Sequence, residues 1–252
     1  MNRTFAKISL SLLATLACLP LVAQPVPDDP DAIVEEIVDN LRGGGMHATL
    51  ELEVERSDRT IEYSLETISD GAERSLIRVT APPRDAGQAF LSLGDQLFIY
   101  TPRLGRVLRL PPSGANDSFL GSDLSYNDLA GDDIRENYDA SVASRSGEEI
   151  VLSLHPTAGA PTPYGELRFA ATLPGLAPLK LTFFDQRGTE VKRVLFEEIV
   201  TLENGKLFPM RLVVEDLTAD GGRTVARYTD GDYDFAVPES CFTQRALERG
   251  CL

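Results

Sequence analysis

Residues 50–67, LELEVERSDRTIEYSLET, decide the fold class, because apolar and polar side chains alternate along them in two runs. Leu50, Leu52 and Val54 alternate with glutamates, and the pattern resumes from Ile61 to Thr67 after a short polar turn. A period of two residues places the apolar side chains of a strand on one face. The stretch therefore predicts a β-hairpin with one buried and one solvated face.

Further strand-like runs follow as far as residue 235, separated by glycine- and asparagine-containing turns with almost no intervening helix. These runs are 74–80, 88–93, 96–101, 106–110, 150–155, 164–171, 178–185, 190–202, 206–217 and 223–235. A long antiparallel sheet curls because every strand pair adds twist. We therefore predict a mainly β (α+β) fold, an unclosed antiparallel half-barrel of about eleven strands.

Helices are predicted at three places, to cover the apolar concave side of this sheet. Residues 31–42 have apolar side chains at helical spacing and end at a glycine run, which predicts an N-terminal helix. Its apolar face is one candidate for a movable lid and consists of Ile33, Val34, Ile37 and Val38. The segment around Phe119, Leu120 and Leu124 is the other candidate. Shorter helices are predicted near residues 122–130 and 242–250.

The composition excludes several classes of protein. The chain has 252 residues, a formal net charge of −15, 42% hydrophobic residues and two histidines. An acidic chain lacks the basic face that nucleic-acid binding requires, and two histidines cannot form a multi-histidine metal site. We predict no metal, no cofactor and no nucleic-acid partner.

Residues 1–23 are predicted to be a secretory signal peptide. Arg3 and Lys7 precede an uncharged run from Ile8 to Ala23, which is shorter than the roughly 20 residues that cross a bilayer. The alternative is a lipid anchor at Cys18, which ends a partial lipobox. No linker divides the remainder, so we predict one domain over residues 24–252 in a bacterial periplasm.

Export makes the two remaining cysteines, Cys241 and Cys251, candidates for a disulfide. The residues between them form a helical pattern. A helix of that length would hold its ends about 15 Å apart, whereas bridged Cα atoms lie within about 7 Å. We expect the helix to form, and the sequence does not decide whether the two cysteines are bridged.

The sequence does not indicate an enzyme. Neither His47 nor His155 adjoins a nucleophile signature, and no glycine-rich phosphate loop follows a strand. The aspartates of residues 123–133 and 230–234 fit helix capping or solvated strand faces better than metal binding. Arg103 and Arg106 form a basic cluster in this acidic chain, which we interpret as a binding site for an anionic head group or an acidic partner.

The central segments resemble the outer membrane lipoprotein-sorting protein family. Residues 118–129, SFLGSDLSYNDL, are close to that family's Ser-Phe-Met-Gly-Ser-Asp-Phe-Ser-Tyr-Glu-Asp-Leu. Residues 75–91, 97–107 and 242–248 also fit, and the likeness runs from about residue 45 to 249. Phe98 stands where the family usually has tryptophan, and Leu124 and Asn127 are milder departures.

The resemblance implies a periplasmic carrier or chaperone with an unclosed barrel and a helical lid, similar to the lipoprotein localisation chaperone. Its partners would be acyl chains of a lipid or lipoprotein, with an inner-membrane transporter and an outer-membrane acceptor. The resemblance extends to the lipid-sensing domain of the sigma-factor regulator. The alternative is therefore a lipid-sensing regulatory protein of the envelope stress type.

A carrier of this kind would hold acyl chains in its apolar concavity, where each buried methylene contributes about 0.8 kcal/mol. The predicted cavity residues are Phe90, Phe98, Tyr100, Phe119, Leu124, Leu154, Phe169, Phe183, Leu195 and Leu212.

Overall fold

The computed structural model describes residues 26–71, 74–94, 96–111, 114–126, 128, 133–218 and 221–252. The predicted signal peptide, Cys18 and residues 127, 129 and 130 of the predicted helix at 122–130 lie outside these ranges. Within the described part, no helix is long and apolar enough to cross a membrane. The helices are α1 (Pro30–Arg42), α2 (Asp133–Asn137) and α3 (Gln244–Arg249), with 3₁₀ segments at Phe119–Gly121 and Glu239–Phe242.

One antiparallel sheet of 13 strands makes up the molecule, in the order β6-β5-β4-β3-β2-β1-β13-β12-β11-β10-β9-β8-β7. Its strands are β1 (Met46–Glu55), β2 (Thr60–Ser69), β3 (Arg74–Ala81), β4 (Ala89–Leu93), β5 (Gln96–Thr101), β6 (Arg106–Leu110), β7 (Tyr138–Ser146), β8 (Glu149–Pro156), β9 (Glu166–Thr172), β10 (Pro178–Phe184), β11 (Glu190–Thr201), β12 (Leu207–Asp216) and β13 (Arg223–Asp232). The predicted fold class is confirmed.

The strand that the sequence pattern missed is β7, at one edge of the sheet. After the buried Tyr138, its side chains are almost all exposed. An edge strand with little buried surface has no need of alternating apolar residues, so it carries no periodic signal.

The two edges of the sheet, β6 and β7, are consecutive in sequence and do not pair with each other. The connection between them crosses the open side of the half-barrel, because its Phe119 and Leu124 belong to the concave core. This connection contains the Phe119–Gly121 segment and α2. The topology thus places residues 118–125 over the concave face.

Helix α1 packs its predicted apolar face against the concave side, where Ile33, Val34, Ile37 and Val38 are all buried. Hydrogen bonds hold both of its ends to the sheet. The Ala140 N–H donates to Asp31 Oδ1 at 2.9 Å. At the other end Asn40 donates from Nδ2 to the Leu176 carbonyl at 3.1 Å and accepts at Oδ1 from the Leu207 N–H at 2.9 Å. In this structure helix α1 is therefore tied to its neighbours at both ends.

The prediction that all helices cover the concave side is wrong for the C-terminal one. Helix α3 and the Glu239–Phe242 segment pack on the convex face, where Phe242, Ala246 and Leu247 form a second core cluster with Leu91 and other strand residues. Arg78 fixes this segment by donating from Nη2 to the Ala246 carbonyl at 2.6 Å. Strand β4 is buried at its first four positions and needs cover on both faces.

Cys241 and Cys251 form a disulfide with a Cα–Cα distance of 4.9 Å. The expectation that helix and bridge exclude each other was wrong, because α3 spans only Gln244–Arg249. The chain turns at Thr243 before the helix and at Gly250 after it. The short helix and the two turns bring the cysteines back together.

Replacing both cysteines by serine is expected to destabilise the fold by about 2–3 kcal/mol, because the bridge closes a short loop in the unfolded chain. Urea unfolding of the variant Cys241→Ser, Cys251→Ser and of the unmodified protein measures the difference. Reduction of the unmodified protein should give a similar loss. Identical unfolding midpoints for both proteins would contradict a stabilising bridge.

Candidate functional site

A cavity of about 890 Å³ lies on the concave side of the sheet, under α1 and the β6–β7 connection. Ligand pockets commonly have volumes of about 300–1,000 Å³. The middle of its wall is apolar and consists of Val38, Leu50, Ile77, Leu124, Leu167, Leu181, Phe183, Val194, Phe196, Leu212 and Ala226. A long apolar chain is the kind of ligand that such a wall can bind.

The cavity extends along the strands and reaches both ends of the half-barrel. Arg56 and Thr218 line it at the end formed by the β1–β2 and β12–β13 turns. Met46 and Phe208 line it at the opposite end, where β1 and β12 begin. An elongated guest parallel to the strands would therefore fit this shape.

Two pairs of opposite charges lie in the wall. Lys192 Nζ lies 2.7 Å from Asp128 Oδ2, and Arg56 Nη1 lies 2.9 Å from Asp123 Oδ2. Burial raises the pKa of the Tyr164 phenol to about 12, so this wall residue stays neutral at any physiological pH. The wall presents little net charge to an apolar guest.

Residues 118–125, which we call the cover loop, close part of the cavity. Phe119 is fully buried and packs edge-on against Phe90 at 4.8 Å between ring centroids and against Tyr126 at 5.7 Å. The Phe119 N–H donates to the Leu124 carbonyl at 2.8 Å. One aromatic anchor therefore fixes the loop to the concave face.

Arg56 fastens the cover loop to the rim of the half-barrel. Besides its ion pair with Asp123, its Nη2 donates to the Gly121 carbonyl at 2.7 Å. The Asp123 carboxylate also accepts from Thr224 Oγ1 at 2.7 Å, and only 5% of its side chain is exposed. A buried carboxylate depends on such partners, so Arg56 and Thr224 together favour the closed position.

Backbone geometry in the cover loop is also unusual. Leu120 has φ of 53°, a conformation that costs a residue with a side chain roughly 1–2 kcal/mol. Tyr63 Oη donates to the Leu120 carbonyl at 3.2 Å. The closed loop is therefore a strained segment held down by a small number of side chains.

The predicted cavity residues fall into three groups. Leu124, Phe183 and Leu212 line the cavity, and Phe90, Phe119, Leu154 and Phe169 are buried in the concave core around it. The remaining residues are Phe98, Tyr100 and Leu195. Phe98 and Tyr100 belong to the cluster on the convex face. Leu195 lies on the opposite face of β11 from Val194 and Phe196. The prediction that these three residues line the cavity is therefore corrected.

Phe98 and Tyr100 were assigned to the wrong face because some strands of this sheet are apolar on both faces. Phe90 and Phe98 both pair within the β3–β4–β5 region, yet one belongs to the concave cluster and the other to the convex cluster. The continuous run Ala89-Phe90-Leu91 was the signal that both faces are covered, because a one-sided strand alternates.

Sequence reasoning missed Arg56, Lys192 and the pairing role of Asp123. Arg56 and Lys192 belong to no recognisable motif, and the motif that contains Asp123 does not reveal its partners, which are far away in sequence. Within residues 122–130, where a short helix is predicted, Ser125 and Asp128 exchange two hydrogen bonds, from Ser125 N–H to Asp128 Oδ2 at 2.6 Å and from Asp128 N–H to Ser125 Oγ at 3.1 Å.

The predicted head-group residues Arg103 and Arg106 lie outside the cavity, at the tip of the β5–β6 hairpin, and both are exposed. On the convex side, His155 Nε2 lies 3.3 Å from Ser153 Oγ, but this hydroxyl donates to Glu166 Oε1 at 2.8 Å. The histidine does not stand between serine and carboxylate, as a catalytic triad requires.

Comparison with known proteins gives a family and a fold. The model of a family described as "-like: Uncharacterized protein" matches residues 71–249. No curated protein matches the chain.

Three crystal structures share the fold. A DUF1329 family protein from Desulfovibrio piger aligns with a TM-score of 0.76 and 22% identity, over 87% of this chain and 99% of that chain. A LolA superfamily protein from Nitrosomonas europaea gives 0.71 and 21%, over 87% and 99%. A putative outer membrane lipoprotein-sorting protein domain from Vibrio parahaemolyticus gives 0.74 and 21%, over 87% and 98%.

Proposed function

The chain belongs to the family whose model matches residues 71–249 and has the fold of lipoprotein-sorting structures, and from this premise we propose that it is a periplasmic carrier of acyl chains. The cargo is a lipid or a lipid-modified protein that moves towards the outer membrane. Residues 1–23 would direct export, and residues 24–252 would act as one domain. An inner-membrane transporter and an outer-membrane acceptor are the proposed donor and recipient.

The observation that carries this proposal is the elongated apolar cavity of about 890 Å³ with paired charges in its wall. Each methylene that leaves water for such a cavity contributes about 0.8 kcal/mol. A single acyl chain can supply on the order of 10 kcal/mol before ordering costs. No catalytic group is needed for this function.

Exchange of cargo requires a cover that moves, and we assign this motion to the cover loop. Helix α1, predicted as a lid through Ile33, Val34, Ile37 and Val38, is held by hydrogen bonds at both ends. The cover loop is fastened mainly by Arg56, Thr224, Tyr63 and the Phe119 ring. Opening it exposes the Phe119 ring, breaks the contacts of Arg56, Thr224 and Tyr63 and relieves the strain at Leu120. Transport requires this cost to be smaller than the roughly 10 kcal/mol that an acyl chain can supply.

Uptake of a fluorescent fatty acid by the purified protein tests the proposal directly. We expect saturable binding at one site, competed by an unlabelled long-chain fatty acid but not by a short-chain one. Native mass spectrometry of protein extracted gently from its host should show a bound acylated molecule. Empty protein together with no fluorescent uptake would refute the carrier function.

The variant Arg56→Leu is expected to loosen the cover loop, because Asp123 loses its cation while remaining buried. Amide hydrogen exchange of residues 118–125 should become about tenfold faster, which corresponds to about 1.4 kcal/mol. The variant should also release a bound fatty-acid probe faster. Hydrogen-exchange mass spectrometry and stopped-flow fluorescence provide the two readouts.

Arg59→Leu is the matched control, because Arg59 lies in the same β1–β2 turn and is exposed. It should leave both rates unchanged. Equal acceleration in the two variants would show a general effect of charge at this rim, and Arg56 would then have no fastening role.

A further inference from the structure

The β5–β6 hairpin, residues 96–110, has a charge opposite to that of the whole chain. It contains Arg103, Arg106 and Arg109 and no acidic residue, whereas the chain has 39 acidic and 24 basic residues. An anionic surface would attract this hairpin and repel most of the remaining protein. Charge alone therefore favours one orientation towards such a surface.

Exposed leucines accompany these arginines. Leu104 at the tip is 56% exposed and Leu108 on the edge strand is 41% exposed. The three arginines are exposed as well, and in the described part of the chain none of them forms an ion pair with a carboxylate. The tip thus combines an apolar apex with unneutralised cations.

The tip has a defined conformation. Thr101 and Arg106 pair across the hairpin, and Arg103 Nη2 donates to the Arg84 carbonyl in the adjacent β3–β4 turn at 3.3 Å. Gly87 in that turn is so close that an added Cβ would lie 3.0 Å from Pro102 Cγ. A supported tip loses little conformational freedom on binding.

The hairpin tip also lies at the end of the half-barrel where Arg56 lines the cavity. Because neighbouring strands run antiparallel, the β1–β2, β3–β4 and β5–β6 turns fall at the same end of the sheet. A surface that contacts the tip would therefore face this end of the cavity.

We propose that the tip of the β5–β6 hairpin docks on an anionic phospholipid bilayer, with Leu104 in the interface and Arg103 and Arg106 against the phosphates. The combination of an apolar apex and flanking arginines matches the two layers of a membrane interface. This docking goes beyond the proposed cargo binding and does not depend on it, since it involves the outer surface of the hairpin. It also gives the predicted head-group role of these arginines a specific partner.

Sedimentation with lipid vesicles tests the proposal. Vesicles of phosphatidylcholine with an equal part of phosphatidylglycerol should capture the protein at low salt, and vesicles of phosphatidylcholine alone should not. The variant Arg103→Gln, Leu104→Ser, Arg106→Gln should reduce capture by at least about fivefold. Its uptake of a fluorescent fatty acid should be unchanged, which separates this test from that of the proposed function.

The opposite edge strand provides the matched control. Strand β7 has an exposed Val142 and an exposed Arg145, so Val142→Ser, Arg145→Gln removes one exposed apolar side chain and one exposed arginine elsewhere. This control should retain full capture. The proposal would be overturned if anionic vesicles did not capture the protein, or if they captured the hairpin variant equally well. An acidic protein would then be the partner to test.

Discussion

Replacement of Val194 by tryptophan is expected to weaken fatty-acid binding at least about tenfold, the largest functional effect that the cavity predicts. Val194 lies in the cavity wall between Leu181 of β10 and Val214 of β12. A bulky ring there would exclude part of an acyl chain, and each excluded methylene forfeits about 0.8 kcal/mol. Titration with a fluorescent fatty acid measures the affinity.

Leu195→Trp is the control, because Leu195 is the next residue on the same strand and its side chain points to the other face. It pairs with Lys180 and Val213, neither of which lines the cavity. Affinity in this variant should equal that of the unmodified protein, with thermal unfolding confirming that both variants fold. A loss in Leu195→Trp and none in Val194→Trp would place the binding site on the convex face.

The second large effect is expected on stability. Phe169→Ala should lower the free energy of unfolding by about 3–5 kcal/mol, because it removes a large ring from a packed core. Phe169 is fully buried and stacks on Phe196 at 6.0 Å between centroids. Small domains are stable by only about 5–15 kcal/mol, so urea unfolding should show a large shift of the midpoint.

Phe184→Ala removes the same ring from a half-buried position, where the Arg168 guanidinium lies 4.8 Å from the ring centroid. Its expected cost is about 1 kcal/mol. Equal losses in the two variants would mean that the concave core around Phe169 is not tightly packed. The slope of the unfolding curve should be the same in all three proteins.

The β1–β2 hairpin shows how far alternation predicts this fold. Leu50, Leu52 and Val54 are buried on the concave side, as the sequence predicts. The pattern succeeds here because this part of the sheet has one covered face and one wet face. It fails for Phe98 and Tyr100, which face a C-terminal segment that no local pattern connects to β5.

The contacts of the cover loop could not be predicted for a related reason. The motif GSDLSY identifies the loop by resemblance, but it does not reveal that Asp123 pairs with Arg56 or that Thr224 completes the site. These partners meet because β6 and β7 are opposite edges of one curled sheet. The tertiary path of the chain brings Arg56, Asp123 and Thr224 together, and their spacing in the sequence does not reveal this.

By itself the sequence determined the class of fold, the apolar face of α1 and the family resemblance. These depend on local periodicity and short motifs, which are set by residues close together in the chain. Only the tertiary structure decided which face each apolar residue of β5 and β11 occupies, how Cys241 meets Cys251 and where the cavity lies. Those outcomes depend on which distant segments cover each face of the sheet, because a side chain is buried by its neighbours in space.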